Sequence, residues 1–334
     1  MANITFTEGS GLQDSIFGKS QEPIKMFLEK RGEAFEQTSM LPELFNMGSS
    51  NHWGEKFSTM TAMDGFQPVV EGGAYPKDEM QETYSQVLEH ATWKDSFAIT
   101  QEMVEDSQTM NLRKKPAAFI NSYFRTREMF GAEIYGGGLS GTTMTFRGMT
   151  FKTSCNDGLS QFNTAHTSIT GKTGTQSNMF TNTFSASALS KIETAMQNFK
   201  GDNGEVLSVI PNVILIPNDA AMKEAVFAAI GADKDPSTSN NAFNYEFGRW
   251  TVCVNPYLNK FVTSDNKPWW LLSESYNEEY GGAVWLDRIE LEVKSYVDEN
   301  TDNNIWKGRS RFVAGFNDWR FCAVGGMKNG TTLS

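Results

Sequence analysis

Cys155, Asp157 and His166 stand within one short stretch and offer the groups that covalent hydrolysis needs: a thiol nucleophile, a carboxylate and an imidazole base. Such groups act only when they converge in space. The stretch that carries them is rich in Ser, Thr and Asn and shows no regular period, so nothing in it requires them to meet. The expected role of His166 is structural, hydrogen-bonded within its own loop. Gly171-Lys172-Thr173 matches the end of a phosphate-binding loop, but the first glycine of that motif would fall at His166 and no buried strand precedes it. His52 and His90 have no carboxylate or thiol at ligand spacing, so a metal site is not expected there. Trp269-Trp270, Trp285, Trp306 and Trp319 would suit a carbohydrate or base-stacking platform, yet they sit within or beside strand patterns, where packing is the simpler use. No catalytic, cofactor-binding or metal-ligating residue is assigned, and no cofactor is expected.

The elements around these residues set what the chain can be. Its 334 residues are enough for one large domain or two intergrown ones. A 39% hydrophobic and 12% aromatic content argues for a folded chain over most of its length. A formal charge of −11 speaks against gripping nucleic acid through a basic surface, because phosphate affinity needs clustered Lys and Arg. The 3 cysteines are widely spaced with no CxxC, which suggests neither a disulfide framework nor a zinc cluster and fits a reducing cytoplasm. No secretory leader and no membrane-length apolar run is read.

Residues 1–60 mix Gly, Ser and Met and would make poor core, which predicts an extended arm. From Asp64 to Pro76 the chain is rich in Gly and Pro. Val87, Ala91, Trp93, Phe97 and Ile99 then fall on alternate positions with two gaps, predicting a long two-stranded projection. Thr100 is a helix cap candidate ahead of Glu102, Glu105 and Asp106. Pro116 is placed as the first residue of a second helix, whose apolar face runs through Ile120, Phe124, Phe130 and Ile134 to the glycines at 136–138. A hairpin at 144–151 and a long irregular segment follow. Leu189, Ile192, Met196 and Phe199 mark a helix, and Val213 to Ile216 a buried strand. The next helix is read as capped by Asn218 and stopped by a left-handed Gly231. Strands are expected at Arg249–Asn255 and Trp269–Ser273. The clearest pattern comes last: Ile289, Leu291, Val293, Ser295 and Val297 alternate with Arg288, Glu290, Glu292, Lys294 and Tyr296, and a partner strand returns through Phe312, Ala314 and Phe316.

The order of these elements, with strings such as Pro68 to Pro76, Asp157 to His166, Gln176-Ser177-Asn178, Pro211 to Gly231 and Lys267 to Leu272, resembles the major capsid protein family of tailed bacteriophages over nearly the whole chain. That family has the HK-ninety-seven-type fold, shared with encapsulins. The resemblance implies an α+β fold with an N-terminal arm at 1–60 and an extended loop at 61–99. It implies a peripheral domain of residues 100–185 and 281–334, with a spine helix and a long hairpin, and an axial domain at 186–280. It also implies no enzymatic activity, self-assembly into hexamers and pentamers of an icosahedral head around double-stranded DNA, and residence in the virion after assembly in the host bacterial cytoplasm. Because no long cleavable scaffolding segment is read ahead of the arm, a separate scaffolding protein, or none, is expected, with a portal as a further partner.

Intersubunit contact candidates are Glu71, Lys77, Asp78, Glu82, Glu89, Trp93 and Lys94 on the projection, and Asp298, Glu299 and Trp306 at or near the tip of the long hairpin. Charges there, with Glu79 and Asp95, would set register and partner choice more than affinity. For any single one, a solvated charged face is an equal explanation. The competing readings are an encapsulin-like compartment shell and a soluble hydrolase using Cys155 and His166.

Overall fold

The strand required by the alternation after Leu286 is the axis of the molecule. In the computed structural model, which describes residues 5–6, 28–35, 38–60, 66–77, 82–105, 109–231 and 244–333, β11 runs Ala283–Asp298 and returns as β12, Asn303–Phe316. The two pair antiparallel from Ala283 opposite Phe316 to Asp298 opposite Asn303, with register shifts between Asp287 and Glu292. Such bulges re-aim the side chains on one strand and increase its local twist. β5, Ala91–Ile99, adds antiparallel to the far edge of β12, and β2, Asn46–Ser49, adds parallel to β11. β1, Thr5–Phe6, also lies along β11, completing a 5-stranded sheet.

One face of this sheet is covered by α4, Thr109–Gly137, about 44 Å long at the helical rise. Its buried Phe119, Ile120 and Phe124 pack with Leu291, Val293 and Trp306. A turn or so further on, Phe130 lies among Trp93, Trp285, Phe312 and Phe151, the last on the small hairpin of β6, Thr143–Phe146, and β7, Met149–Lys152. The helix begins before Pro116, which lies inside it and is not its first residue. A proline there forfeits one amide donor. Lys115 Nζ donates to the Ala98 carbonyl at 2.7 Å, tying the same turn to β5. The short α3, Gln101–Glu105, starts as expected, with Thr100 Oγ1 accepting from the Met103 amide.

A second sheet holds β8, Val213–Pro217, at its centre between β9, Thr251–Asn255, and β10, Trp269–Leu272, with β13, Cys322–Gly325, on the edge. Every residue of β8 is buried, which explains its unbroken apolar run. α5, Ala186–Gln197, packs on β13, and α6, Ala220–Ile230, on β8. Two details of α6 differ from expectation. Its cap is Asp219, whose carboxylate accepts from the Met222 amide at 3.0 Å, while the Asn218 amide is taken by Asn259 Oδ1. Gly231 ends it with φ −85°, not in the left-handed region; that conformation occurs at Gly281, φ 60°, which ends α7, Glu274–Tyr280.

Two larger expectations are corrected. The arm at 1–60 is not all arm: α2, Leu41–Leu44, and Phe45 sit in the main core, and β2 belongs to the main sheet. In the helix upstream, α1 at 28–35, Leu28 is buried and Phe35 stacks on Phe124 at 5.2 Å. Sparse apolar residues sufficed because α4 and β11 supply the rest of the cover. The projection is β3, Gly54–Met60, paired with β4, Glu82–Glu89, and the run Ala91–Ile99 is β5, the edge strand of the main sheet beside β12. Alternation identifies a strand but not its partner.

Candidate assembly surfaces

Among the described residues β3 and β4 pair only with each other, and the segment beyond them, 66–77, is exposed at every residue. Gly72 turns it with φ 79°, and the Gly73 amide closes the turn on the Val70 carbonyl at 2.8 Å. Apolar side chains stand open here: Val70 is 82% and Tyr75 94% exposed, and Trp53, near the root of the ribbon, 63%. Exposed apolar groups gathered on a projecting element mark a surface that something else covers.

Of the sequence candidates, Glu71, Lys77 and Glu89 are exposed on this projection, and Glu82 opens β4. Asp78 lies outside the described residues. Lys94 is exposed on β5 opposite Arg309. Asp298 and Glu299 form the turn between β11 and β12, where the Asp298 carboxylate accepts from the Asn300 amide and the Thr301 hydroxyl. Two candidates drop out. Trp306 is 1% exposed inside the cluster beneath α4, and Trp93 stacks on Phe312 at 4.8 Å while its indole N–H donates to the Phe312 carbonyl. Their rings fill this subunit's own core.

The register brings together a group that the sequence reading missed. Lys307, Arg309 and Arg311 alternate along β12 on the face away from α4; Lys94 on β5 and Lys294 on β11 lie opposite them, with Glu292 among them. The i, i+2 spacing of the β12 cations was the available signal; only the pairing shows that three strands share the face. Burial, then Arg288 and Arg309, lowers the pKa of Arg311. His90 is buried just beside this face with neither ring nitrogen hydrogen-bonded; burial, then Arg288 and Arg311, pushes its pKa down. The basic face faces the solvent on a chain that is acidic overall.

Cys155, Asp157 and His166 do converge, contrary to expectation. The Cys155 thiol donates to Asp157 Oδ1 at 2.9 Å, and His166 Nδ1 lies 2.7 Å from Asp157 Oδ2. The far nitrogen, Nε2, meets Asn178 Oδ1 at 3.2 Å, and the ring stacks on Trp319 at 4.4 Å. The Asn156-Asp157-Gly158 turn brings them together: Leu159 donates its amide to Asp157 Oδ1, Gly158 has φ 79°, and the His166–Gln176 bridge returns the chain. The order of groups is wrong for a nucleophile. The carboxylate sits between thiol and imidazole, both ring nitrogens have partners, and burial, then Asp157, raises the thiol pKa well above its usual range. His166 is thus hydrogen-bonded within its loop. Gly171-Lys172-Thr173 lies on the excursion between His166 and Gln176, with no strand feeding it.

Open apolar side chains on a projecting ribbon, a basic sheet face and a thiol locked in hydrogen bonds define a structural subunit, one that works through the surfaces it offers. The model of the phage capsid protein family matches residues 83–325. The chain belongs to that family: it is a capsid shell subunit of the virion and not an enzyme. Among solved structures it is similar to a protein of Mycobacterium phage Patience, at 11% identity and a TM-score of 0.50, covering 99% of this chain and 94% of that one. It is also similar to the virus-like particle from Pyrococcus furiosus, at 8% identity and a TM-score of 0.49, covering 91% and 97%. The capsid of Myoviridae phage XM1 matches at 12% identity and a TM-score of 0.46, covering 83% and 88%. The first of these carries the likeness of fold. No curated protein matches the chain. Among the described residues, no helix is long and apolar enough to cross a membrane.

Proposed function

We propose that this subunit assembles with its own copies into hexamers and pentamers of an icosahedral head that encloses double-stranded DNA, and that the β3–β4 projection is the element laid across a neighbour. The observation that carries this reading is the open apolar apex at 66–77. A ribbon of two strands is marginal by itself in water and gains cover and area when a second copy receives it. Charge supports the same pairing. The sequence of 54–89 holds Glu55, Asp64, Glu71, Asp78, Glu79, Glu82 and Glu89 against Lys56 and Lys77, while the β5–β12–β11 face offers Lys94, Lys307, Arg309 and Arg311. Opposite patches of this kind fix register and suppress wrong partners.

In this reading the extended loop is 54–89, the peripheral domain combines 100–185 with 281–316, the axial domain is 186–280 with β13 completing its sheet, and Asp298 and Glu299 sit at contacts between neighbouring subunits. Assembly takes place in the host bacterial cytoplasm with a separate scaffolding protein and a portal, and the acidic chain encloses DNA without binding its sequence. Replacing residues 66–77 by a short Gly-Ser linker tests the projection. The variant is expected to keep a cooperative thermal transition and to form no shells by electron microscopy. Normal shells from that variant would overturn the reading.

A further inference from the structure

The hydrogen bonds around Asn178 fix where the protons of the buried cluster lie. Asn178 Nδ2 donates to the carbonyls of Gln161, Trp319 and Cys322 at 2.8, 3.3 and 3.1 Å. Its Oδ1 therefore only accepts, from the Asn163 amide at 2.9 Å and from His166 Nε2. Nε2 carries a hydrogen, and Nδ1 faces a carboxylate oxygen at 2.7 Å. A bare Nδ1 would oppose two lone pairs, so one proton sits between Nδ1 and Oδ2. The cluster holds a second exchangeable proton on the Cys155 sulfur, pointed at the same carboxylate.

We propose that Cys155, Asp157 and His166 form a binding site for a thiophilic divalent cation of the zinc type. Their donor atoms, one sulfur, one oxygen and one nitrogen, all lie within 4.8 Å of one another. This is a donor set that zinc accepts, with bonds of about 2.0–2.3 Å. Exchange is electrically balanced. The cation bonds to sulfur, to the carboxylate and to Nδ1, and the thiol proton and the proton shared by Asp157 and His166 leave to solvent. The thiol, carboxylate and imidazolium sum to zero before exchange; the thiolate, carboxylate, neutral imidazole and dication sum to zero after it, so no unpaired charge is buried.

The surroundings suit a ligand set. The Nε2–H bond to Asn178 is the outer contact that orients a metal-binding imidazole and raises its basicity. Two buried side-chain oxygens, Gln161 Oε1 and Asn317 Oδ1, have no hydrogen-bond partner. Both residues are tied to the cluster through their backbones, Gln161 to Asn178 and Asn317 to the Asn156 amide at 2.9 Å.

The test uses full-length unassembled subunits freed of metal with a chelator and incubated to equilibrium with cobalt(II) in weak buffer at neutral pH. The expected result is uptake of about one ion per chain, a near-ultraviolet thiolate-to-cobalt absorption and release of about two protons per ion. The absorption should vanish in Cys155→Ser and persist in Cys253→Ala and Cys322→Ala. Folded wild-type subunit that takes up no cobalt, or a band that survives Cys155→Ser, overturns the proposal. Should Cys155→Ser fail to fold, the wild type decides: its thermal midpoint must rise with zinc concentration, and a midpoint indifferent to zinc overturns the site. None of these readings depends on shell formation.

Discussion

Arg127 grips Asp287 with both arms of its guanidinium, Nη1 to Oδ1 at 2.7 Å and Nη2 to Oδ2 at 2.8 Å, and so pins the middle of α4 to the first bulge of β11. The guanidinium also lies over the rings of Trp285 and Phe312, 4.8 and 5.2 Å from their centroids. Both charges are largely removed from water. A buried pair adds little net stability over apolar residues, but removing one partner strands the other. Arg127→Met is therefore expected to cost about 3–5 kcal/mol. Arg127→Met combined with Asp287→Leu should recover a large part of it. Urea unfolding of unassembled subunits measures both, and a double variant no better than the single would refute the account.

The contact between α4 and the loop after β9 depends on a missing side chain. A Cβ on Gly136 would lie 1.9 Å from Phe261 Cε2, on the short helix Pro256–Phe261. Gly136→Ala should overpack this joint and cost about 1–3 kcal/mol. Shortening the ring with Phe261→Leu in the same chain should return part of the loss. If the two changes simply add in denaturant unfolding, the steric argument fails.

His90 gives a pH dependence whose sign is fixed by its surroundings. Burial, then the positive charges of Arg288 and Arg311, lowers its folded pKa below the ordinary 6.5, while Glu55 and Asp287 act in the opposite direction with smaller effect. A depressed folded value means that the unfolded chain binds the proton more readily. The neutral ring's contribution is present above pH 6.5 and is lost as the pH falls below that value toward the folded pKa. The stability difference between wild type and His90→Gln should therefore shift against the wild type as the pH is lowered from about 7.5 to about 5. A difference that stays flat across that range would contradict the assignment.

What the sequence disclosed was local, and what it withheld was pairing. Ile289, Leu291 and Val293 announce β11, and Val213 to Ile216 announce β8, because burial on one face or two leaves its period in the chain. The partner of Ala91–Ile99 leaves no such trace, so alternation alone joins β5 to the projection, whereas its pairing with β12 places it in the sheet. Leu41, Leu44 and Phe45 read as thin cover because their neighbours, α4 and Trp285, come much later in the chain. The cysteine–histidine cluster was legible as residues and illegible as a site. Asn156-Asp157-Gly158 signals a turn, but the return of His166 depends on a bridge to Gln176 and on Asn178, which no periodicity encodes.

The basic face of the sheet gives the last prediction, which rests on assembly through the projecting ribbon. Lys307 and Arg309 are exposed and have no carboxylate at ion-pair distance among the described residues, although the Lys307 ammonium lies over the Tyr296 ring at 4.6 Å. Surface changes of this kind usually move stability by no more than about 0.5 kcal/mol. Lys307→Glu with Arg309→Glu should therefore leave the unfolding of isolated subunits nearly unchanged. Shell formation should slow sharply, since the acidic ribbon of the next copy would meet like charge. The defect should shrink as salt rises, because exposed charges are screened over about 8 Å at physiological ionic strength. Adding Glu71→Lys and Glu89→Lys to the same chain restores opposite signs across the contact and should restore assembly, followed by light scattering and electron microscopy. Assembly that ignores the first pair of changes, or a defect that the second pair does not relieve, would show that the ribbon and the basic face are not partners.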